Sequence, residues 1–506
     1  MRARRSLELM VSMIVAAGCG GRATGPATPA AVVAAVTVPD PSLRVTLVPR
    51  APLPGPTRVN FAVPLAAGAL RDEQAIRVRA RGAELPAARR GLARYPDGSW
   101  RSVQLQLDIA PGTEQLELAL GQPGLRGPEL VPVASLVDAQ GLPAVWALLP
   151  PAHLAASGLA GPLAVPVAEV AGTPLDAWRK VCEYPRWGTD AFLVGAARRE
   201  VWLYDRVTAM LRGYVLTGQL APLESALREV TLYRDGLAFD AAGAVTSLAV
   251  PDAKDELKYH YSQGLAMHYL LTGDERSREA AEAVALRVEV LQGKSPGYDG
   301  GDDFWTERFA GFSLLAFEWA HVVSDDRAAY FAQLADAVVT ASLHTQDSYP
   351  PGYTDQQARC FAHSATAHTE PYGYDGCSPW MSAILADGLH SYAARVGGAR
   401  GAAVHASLIK LGRAIARDGR DPKTGRPYYW MGVGGTRGEP DEYDEHWGES
   451  AYLVALAFWL DGKRDAGLRR AADELVTGLR ERGEVGQVRS FNWQCRTAVL
   501  TPAFLR

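Results

Sequence analysis

The chain has 506 residues, 48% of them hydrophobic and 21% charged, with a formal net charge of −4. That length predicts two to three domains with ample core. The absence of a basic excess argues against a nucleic-acid partner. An anionic substrate would have to be met by local arginines.

The first residues predict an export signal. Arg2, Arg4 and Arg5 precede an apolar run from Leu9 to Ala17, the pattern of a secretory leader. The run is too short to remain as a membrane span, and no later segment is apolar enough to be one. It ends in Ala16-Ala17-Gly18-Cys19, which resembles a bacterial lipobox. On that reading residues 1–18 are a signal peptide and Cys19 carries a lipid. Residues 19–42, rich in Gly, Ala, Pro and Thr, are then a flexible linker. The protein would be lipid-anchored in the bacterial cell envelope, on the periplasmic or cell-surface side of the outer membrane, touching the membrane through the anchor alone. The plainer alternative is a secretory signal with a chance cysteine. Cys182, Cys360, Cys377 and Cys495 remain, and an even number in an oxidising compartment predicts two disulfides. Three pairings are open: Cys360–Cys377 would staple one loop, and Cys182–Cys495 would join the start of the helical region to its end.

From 43 to 122 short β-like runs dominate: Leu43–Val48, Arg58–Pro64, Ile76–Arg81, Val103–Asp108 and Glu114–Leu120. Val103, Leu105, Leu107 and Ile109 alternate with Gln104, Gln106 and Asp108, the period of a half-buried strand. This predicts a β-barrel or sandwich. Residues 123–176 read as a connecting segment that packs against both neighbours.

From 177 to 506 the chain reads as helical. Apolar residues recur at helical spacing in Val201–Leu216, Leu257–Leu271, Phe309–Val323, Met381–Val396 and Ala451–Leu460. Each segment ends at a Gly or Asp stop signal, as in Tyr214-Val-Leu-Thr-Gly218 and Tyr269-Leu-Leu-Thr-Gly273, and a second helix follows. A helix pair repeated at about 50 to 70 residues must stack on its neighbours to bury its apolar face. Turns within pairs are short. Connections between pairs, such as 235–256, 293–304, 345–378 and 418–446, are long and rich in aromatic, His, Asp and Arg residues. Long polar loops gathered on one rim favour a closed toroid with an active-site face. A sixth, degraded unit would come from 177–197 or 486–506. The expected fold class is therefore multidomain α+β, a small N-terminal β-barrel or sandwich followed by an (α/α)5–6 toroid, and the expected oligomeric state is a monomer.

The β region carries a family resemblance. Phe61-Ala-Val-Pro64, Gly68-Ala-Leu70, Gly82-Ala-Glu-Leu-Pro86 and Tyr95-Pro-Asp-Gly-Ser-Trp100-Arg-Ser-Val103 resemble the N-terminal β-barrel of the exo-rhamnogalacturonan lyase/YetA-like family. Tyr95 stands where that family usually has Trp. The resemblance covers about 80 residues and implies an accessory barrel ahead of an α/α barrel. The helical region is similar to α/α-toroid polysaccharide lyases and glycoside hydrolases in general.

A uronate lyase needs a group to neutralise the substrate carboxylate, a base for the α-proton and an acid for the leaving oxygen. A glycosidase needs two carboxylates across a cleft. Four segments offer such groups. In Asp299-Gly-Gly-Asp302-Asp303-Phe-Trp305-Thr-Glu307-Arg308, Trp305 would stack on a sugar, Arg308 would meet a carboxylate, and Asp302 or Asp303 would serve as acid or base. The structural alternative is an N-cap and a helical ion pair. His260 and Tyr261 open an inner helix as candidate proton acceptors, or as packing residues with satisfied tips. The loop 345–378 offers Arg359, His363, His368, Tyr372 and Tyr374 for sugar contact, or is a stapled surface loop. His363, His368 and Glu370 match no firm metal motif. The last loop gathers six acids with Tyr443, His446 and Trp447 between Glu439 and Glu449. Glu442 or Glu445 would be a hydrolase acid, or His446 and Tyr443 would transfer protons in a lyase; acidic residues also simply suit a helix start. Trp430 and Trp447 add stacking surface. The expected function is a polysaccharide lyase acting on an acidic polysaccharide without a required cofactor, calcium being the one left open. The alternatives are an inverting glycoside hydrolase and a non-catalytic glycan-binding lipoprotein.

Overall fold

The computed structural model describes residues 42–195, 202, 204–241, 243–248, 255–292, 306–364, 372–435, 437–440 and 444–506. The readings placed on Cys19, Asp302, Asp303, Trp305, His368, Glu370, Glu442 and Tyr443 lie outside these residues.

The N-terminal module is built from two antiparallel sheets. One contains β1 (Ser42–Pro49), β3 (Ile76–Ala80), β4 (Ala83–Glu84), β7 (Gln115–Leu120) and β8 (Val145–Leu148), in the order β4-β3-β7-β1-β8. The other is β2 (Thr57–Pro64), β6 (Trp100–Ile109) and β5 (Ala88–Arg94), in the order β2-β6-β5. β8 comes from the segment read as a connection, yet it pairs with β1 from Thr46↔Leu148 to Pro49↔Val145. The alternating side chains of β6 divide as their polarity demands. Val103, Leu105, Leu107 and Ile109 enter the core between the sheets. Gln104 and Gln106 are buried as well, so the polar face does not meet water as a half-buried strand would. It docks on the helical region instead.

That region begins with α1 (Pro151–Ala156) and α2 (Thr189–Gly195). Five hairpins follow, pairing α3 (Arg206–Thr217) with α4 (Leu220–Asp235), α5 (Gln263–Thr272) with α6 (Glu275–Gln292), α7 (Glu307–Val323) with α8 (Ala328–Ser348), α9 (Pro379–Val396) with α10 (Gly398–Asp418), and α11 (Trp447–Leu460) with α12 (Ala466–Glu481). α13 (Val488–Thr497) and α14 (Thr501–Leu505) end the chain. The first helices of the pairs contact one another in sequence, α3 to α5, α7, α9 and α11, then α13, and α13 returns to α3. The ring is thus closed, with six inner helices. The sixth unit draws on both ends of the helical region, because the short turn at Pro174–Lys180 packs on α12 and α14. Gly218 and Gly273 end α3 and α5 in the left-handed conformation, with φ of 68° and 72°, which reverses the chain with no Cβ penalty.

Both disulfides form, Cys182–Cys495 and Cys360–Cys377. The first spans 313 residues and latches the ring end to end. Their presence fits an oxidising, extracytoplasmic compartment. Among the described residues no helix is long and apolar enough to cross a membrane.

The polar face of the second sheet caps the end of α5. Ser102 Oγ donates to the Leu270 carbonyl at 2.7 Å, Asn60 Nδ2 to that of Thr272 at 2.9 Å, and Arg90 Nη2 to that of Gly273 at 2.7 Å. These carbonyls have no partner within their helix. The β module therefore seats on the rim where the inner helices end, and the long loops leave from the opposite rim, where they begin. Those loops carry a hairpin, β9 (Leu237–Phe239) with β10 (Val245–Leu248). They also carry a small sheet, β11 (Gly376–Cys377), β12 (Tyr428–Gly432) and β13 (Gly438–Pro440), that ties two loops together.

Candidate active site

The inner helices run in one direction, so their first turns converge on the loop rim. Trp380, in the first turn of α9 and buried, is the centre of an aromatic cluster there. Its ring centroid lies 5.6 Å from Tyr204, 5.4 Å from Tyr429, 6.1 Å from Trp493 and 5.4 Å from His446. The His446 imidazole is nearly parallel to the indole, at 11°. Trp493 also lies 5.2 Å from both Tyr204 and His446.

Arg308, one residue into α7, places its guanidinium 5.7 Å from the Trp380 ring centroid. Its Nη1 donates to the Tyr204 hydroxyl at 3.3 Å. Planar cations over indole faces gain electrostatic attraction without giving up their hydrogen-bonding edge. His446 Nδ1 faces Glu449 Oε1 at 3.3 Å, both groups buried. Glu449 also lines a small closed cavity with Tyr204, Trp380, Trp493, Arg496 and Thr497. Arg308, Tyr429 and Trp493 are half-buried, whereas Tyr204, Trp380, His446 and Glu449 lie beneath them. The outer surface of the cluster thus offers one cation, one phenol and one indole, with a histidine–carboxylate pair behind.

Beneath this floor the ring is held by buried charge. Arg212 on α3 donates to both Asp387 oxygens on α9, at 2.9 and 3.0 Å. Arg496 on α13 pairs with the same carboxylate at 3.0 Å and donates to Gln263 on α5 at 2.6 Å. Although burial opposes ionisation, the two guanidiniums hold the Asp387 carboxyl below its ordinary range.

A second cluster lies on the loops. His363 Nδ1 meets Glu307 Oε2 at 2.6 Å, and Glu307 Oε1 accepts from the Ser378 backbone at 2.9 Å. Trp430, fully buried, stacks with Tyr372 at 5.7 Å and lies 4.6 Å from the His363 ring. Tyr374 donates to Glu439 Oε1 at 2.8 Å. Of the loop residues proposed for sugar contact, His363, Tyr372, Tyr374 and Trp430 are therefore together.

Other candidates point elsewhere. His260 is buried, its Nδ1 on the Glu256 carbonyl at 2.8 Å and its Nε2 facing Asp255 at 3.3 Å. Asp255 is paired with Arg287 of the outer helix α6, so the imidazole faces outward from the ring. Burial, above all, lowers its proton affinity. Tyr261 contacts Phe312 at 5.0 Å and accepts from the Tyr204 backbone at 2.9 Å. Its own hydroxyl donates to the Lys258 carbonyl. Burial, then the neighbouring Tyr233, pushes the phenol well above its ordinary range, which opposes a role as proton acceptor. Arg359 is buried with its guanidinium spent on the carbonyls of Gln346, Tyr349 and Tyr353. Glu445 accepts from Ser490 Oγ at 2.6 Å and anchors α13. Trp447 packs into the space left by Gly478, where a Cβ would lie 2.1 Å from the indole, and so faces α12. Among the described residues no three His, Cys, Asp or Glu side chains are gathered as a metal site would require.

Tyr204, Trp380 and Trp493 were not singled out from sequence. Tyr204 and Trp380 share a positional signal: each sits at or near the start of an inner helix, as Arg308 and His446 do, whereas Trp493 lies midway along α13.

No family model matches the chain, and no curated protein matches it. Among solved structures it is similar to a glycosyl hydrolase family 88 protein from Bacteroides vulgatus, with a TM-score of 0.48 and 11% identity, over 65% of this chain and 98% of that one. It is also similar to a D-mannose isomerase, with a TM-score of 0.38 and 13% identity, over 60% of this chain and 86% of that one.

Proposed function

We propose that this chain is a carbohydrate-active enzyme that cleaves a uronate-containing polysaccharide by β-elimination. The observation that carries the reading is the Arg308–Tyr429–Trp493 surface over Trp380, backed by the His446–Glu449 pair. Arg308 binds the substrate carboxylate and stabilises the charge that develops there when the α-proton leaves. Trp493 and Tyr429 supply a platform for the sugar ring. Glu449 orients His446 through Nδ1, and Nε2 is the atom of proton transfer. Tyr429 returns a proton to the leaving oxygen. The exo-rhamnogalacturonan lyase/YetA-like assignment of the β module belongs to this proposal, as do action as a monomer and anchoring through a lipid on Cys19. Metabolic labelling with a fatty-acid probe should label the wild-type chain and not Cys19→Ser.

The experiment is incubation with a panel of uronate polymers, following the ultraviolet absorbance of unsaturated ends. Arg308→Gln should lower turnover by roughly 10²–10³-fold, the usual cost of removing a group that stabilises developing charge. New reducing ends without absorbance would assign the site to hydrolysis instead.

A further inference from the structure

At the rim opposite the candidate active site, the β module and the ring enclose a second pocket. Its cavity volume is about 500 Å³ and it opens to solvent, within the roughly 300–1,000 Å³ of small-molecule sites. One wall is Pro64 and Ala66 at the end of β2; the others are Leu159 and Pro162, and Leu270 and Trp319 from the ends of α5 and α7. Trp319 lies eleven residues beyond Arg308 on α7, and Arg395 fifteen beyond Trp380 on α9. At 1.5 Å per residue the two sites are about 16–22 Å apart.

The polar groups of this pocket are unequal. Arg395 is already forked onto Glu318, at 2.9 and 2.5 Å. Arg101 lies over the Tyr95 ring, 4.1 Å from its centroid, and spends Nε on the Arg94 carbonyl at 3.2 Å. It makes no direct ion pair with any described carboxylate; the Glu318 carboxylate, which is forked by Arg395, acts on it only from a distance. The Tyr95 hydroxyl donates to the Leu65 and Ser157 carbonyls, at 3.0 and 3.2 Å, so the phenol that supports Arg101 is fixed. A guanidinium stacked on a fixed phenol with no direct carboxylate contact, beside apolar walls, is arranged to take a planar anion carried on a compact body. Asp97, Ser391 and the Glu318–Arg395 pair surround the open mouth, where sugar hydroxyls would find donors and acceptors.

We infer that this pocket is a second, non-catalytic site for a carboxylate-bearing sugar, with the carboxylate on the Arg101 fork and the ring's C–H face on Leu270 and Trp319. The choice of sugar over another carboxylate rests on the proposed function; the pocket and its cation do not. Two uronate sites at opposite ends of the ring would let one molecule hold an acidic chain while working on it.

The test is isothermal titration of the mature chain with digalacturonate, with a neutral galactose disaccharide and octanoate as controls. It is run in an Arg308→Gln background so that the remaining binding reports this pocket. Adding Arg101→Gln should weaken digalacturonate at least tenfold, and Arg101→Lys by less. Ala67→Trp, an exposed position at the pocket wall, should block binding without touching the guanidinium. In the otherwise native chain Arg101→Gln should leave turnover of short substrates unchanged. Digalacturonate binding indifferent to both Arg101→Gln and Ala67→Trp, or binding by octanoate alone, overturns the inference. If no uronate polymer is cleaved but Arg101-dependent digalacturonate binding persists, the function proposed above fails and this site stands.

Discussion

A guanidinium over an indole face, as Arg308 lies over Trp380, keeps its charge and direction while remaining half exposed. That geometry gives the residue-scale prediction for chemistry: His446→Asn should lower turnover by roughly 10²–10⁴-fold, as loss of a general base does, while His260→Asn should leave it within about threefold because that ring faces Asp255 and α6. Two other histidines govern stability. Burial above all depresses His268 and His390, each to about 4, whereas in an unfolded chain they titrate near 6.5. Between those values the unfolded chain takes up protons that the folded one refuses. Stability is therefore complete above about pH 6.5 and falls as pH drops toward 4, by on the order of 3 kcal/mol for each histidine. Neither His390 ring nitrogen has a hydrogen-bond partner among the described residues, so His390→Phe should flatten the dependence of melting temperature on pH; an unchanged slope would refute the assignment. The misjudged direction of His260 has a local cause. The apolar pattern suggested a helix from Leu257, but Leu257–Tyr259 is a tight 3-10 turn and His260 is extended, and two or three residues of offset turn a side chain from the inside of the ring to the outside.

Among elements, the paired helices were legible because burial writes a period into sequence and glycines mark where each helix stops. The missed strands had no such record. β5 carries three arginines in seven residues; Arg89 is buried all the same, its guanidinium donating to the carbonyls of Ile76, Ala87 and Leu125. The alternation in β6 was read correctly, but what covers its polar face depends on the ring, which no local window contains. The site was visible only in part for a similar reason. Tyr204, Trp380 and Trp493 come from three distant helices, and a buried aromatic reads as core until its neighbours are known. The charges that join those helices give the prediction at this scale. Asp387→Asn leaves two buried guanidiniums sharing no carboxylate and should cost about 3–5 kcal/mol, measured by denaturant unfolding. A loss below about 1 kcal/mol would show that the triad does not fasten α3 to α9 and α13.

The molecule as a whole is a closed ring whose ends are joined covalently. Cys182–Cys495 encloses 313 residues of sequence separation, and removing a crosslink of that kind typically costs about 2–5 kcal/mol. Cys182→Ser with Cys495→Ser should lower the melting temperature measurably, and reducing agent should lower it further in the native chain than in this variant, which keeps only Cys360–Cys377. The closed ring also explains why the chemistry is placed at one rim. The β module covers the ends of the inner helices, leaving their first turns on the open loop rim, with Arg308 half-exposed there over Trp380. The most direct measurement of that account is the absorbance of unsaturated sugar ends released from uronate polymers by the mature chain. Absorbance that grows with time in the wild type, and falls at least a hundredfold in Arg308→Gln, is what the account predicts. Cleavage that yields reducing ends with no absorbance, or absorbance indifferent to Arg308, would contradict it.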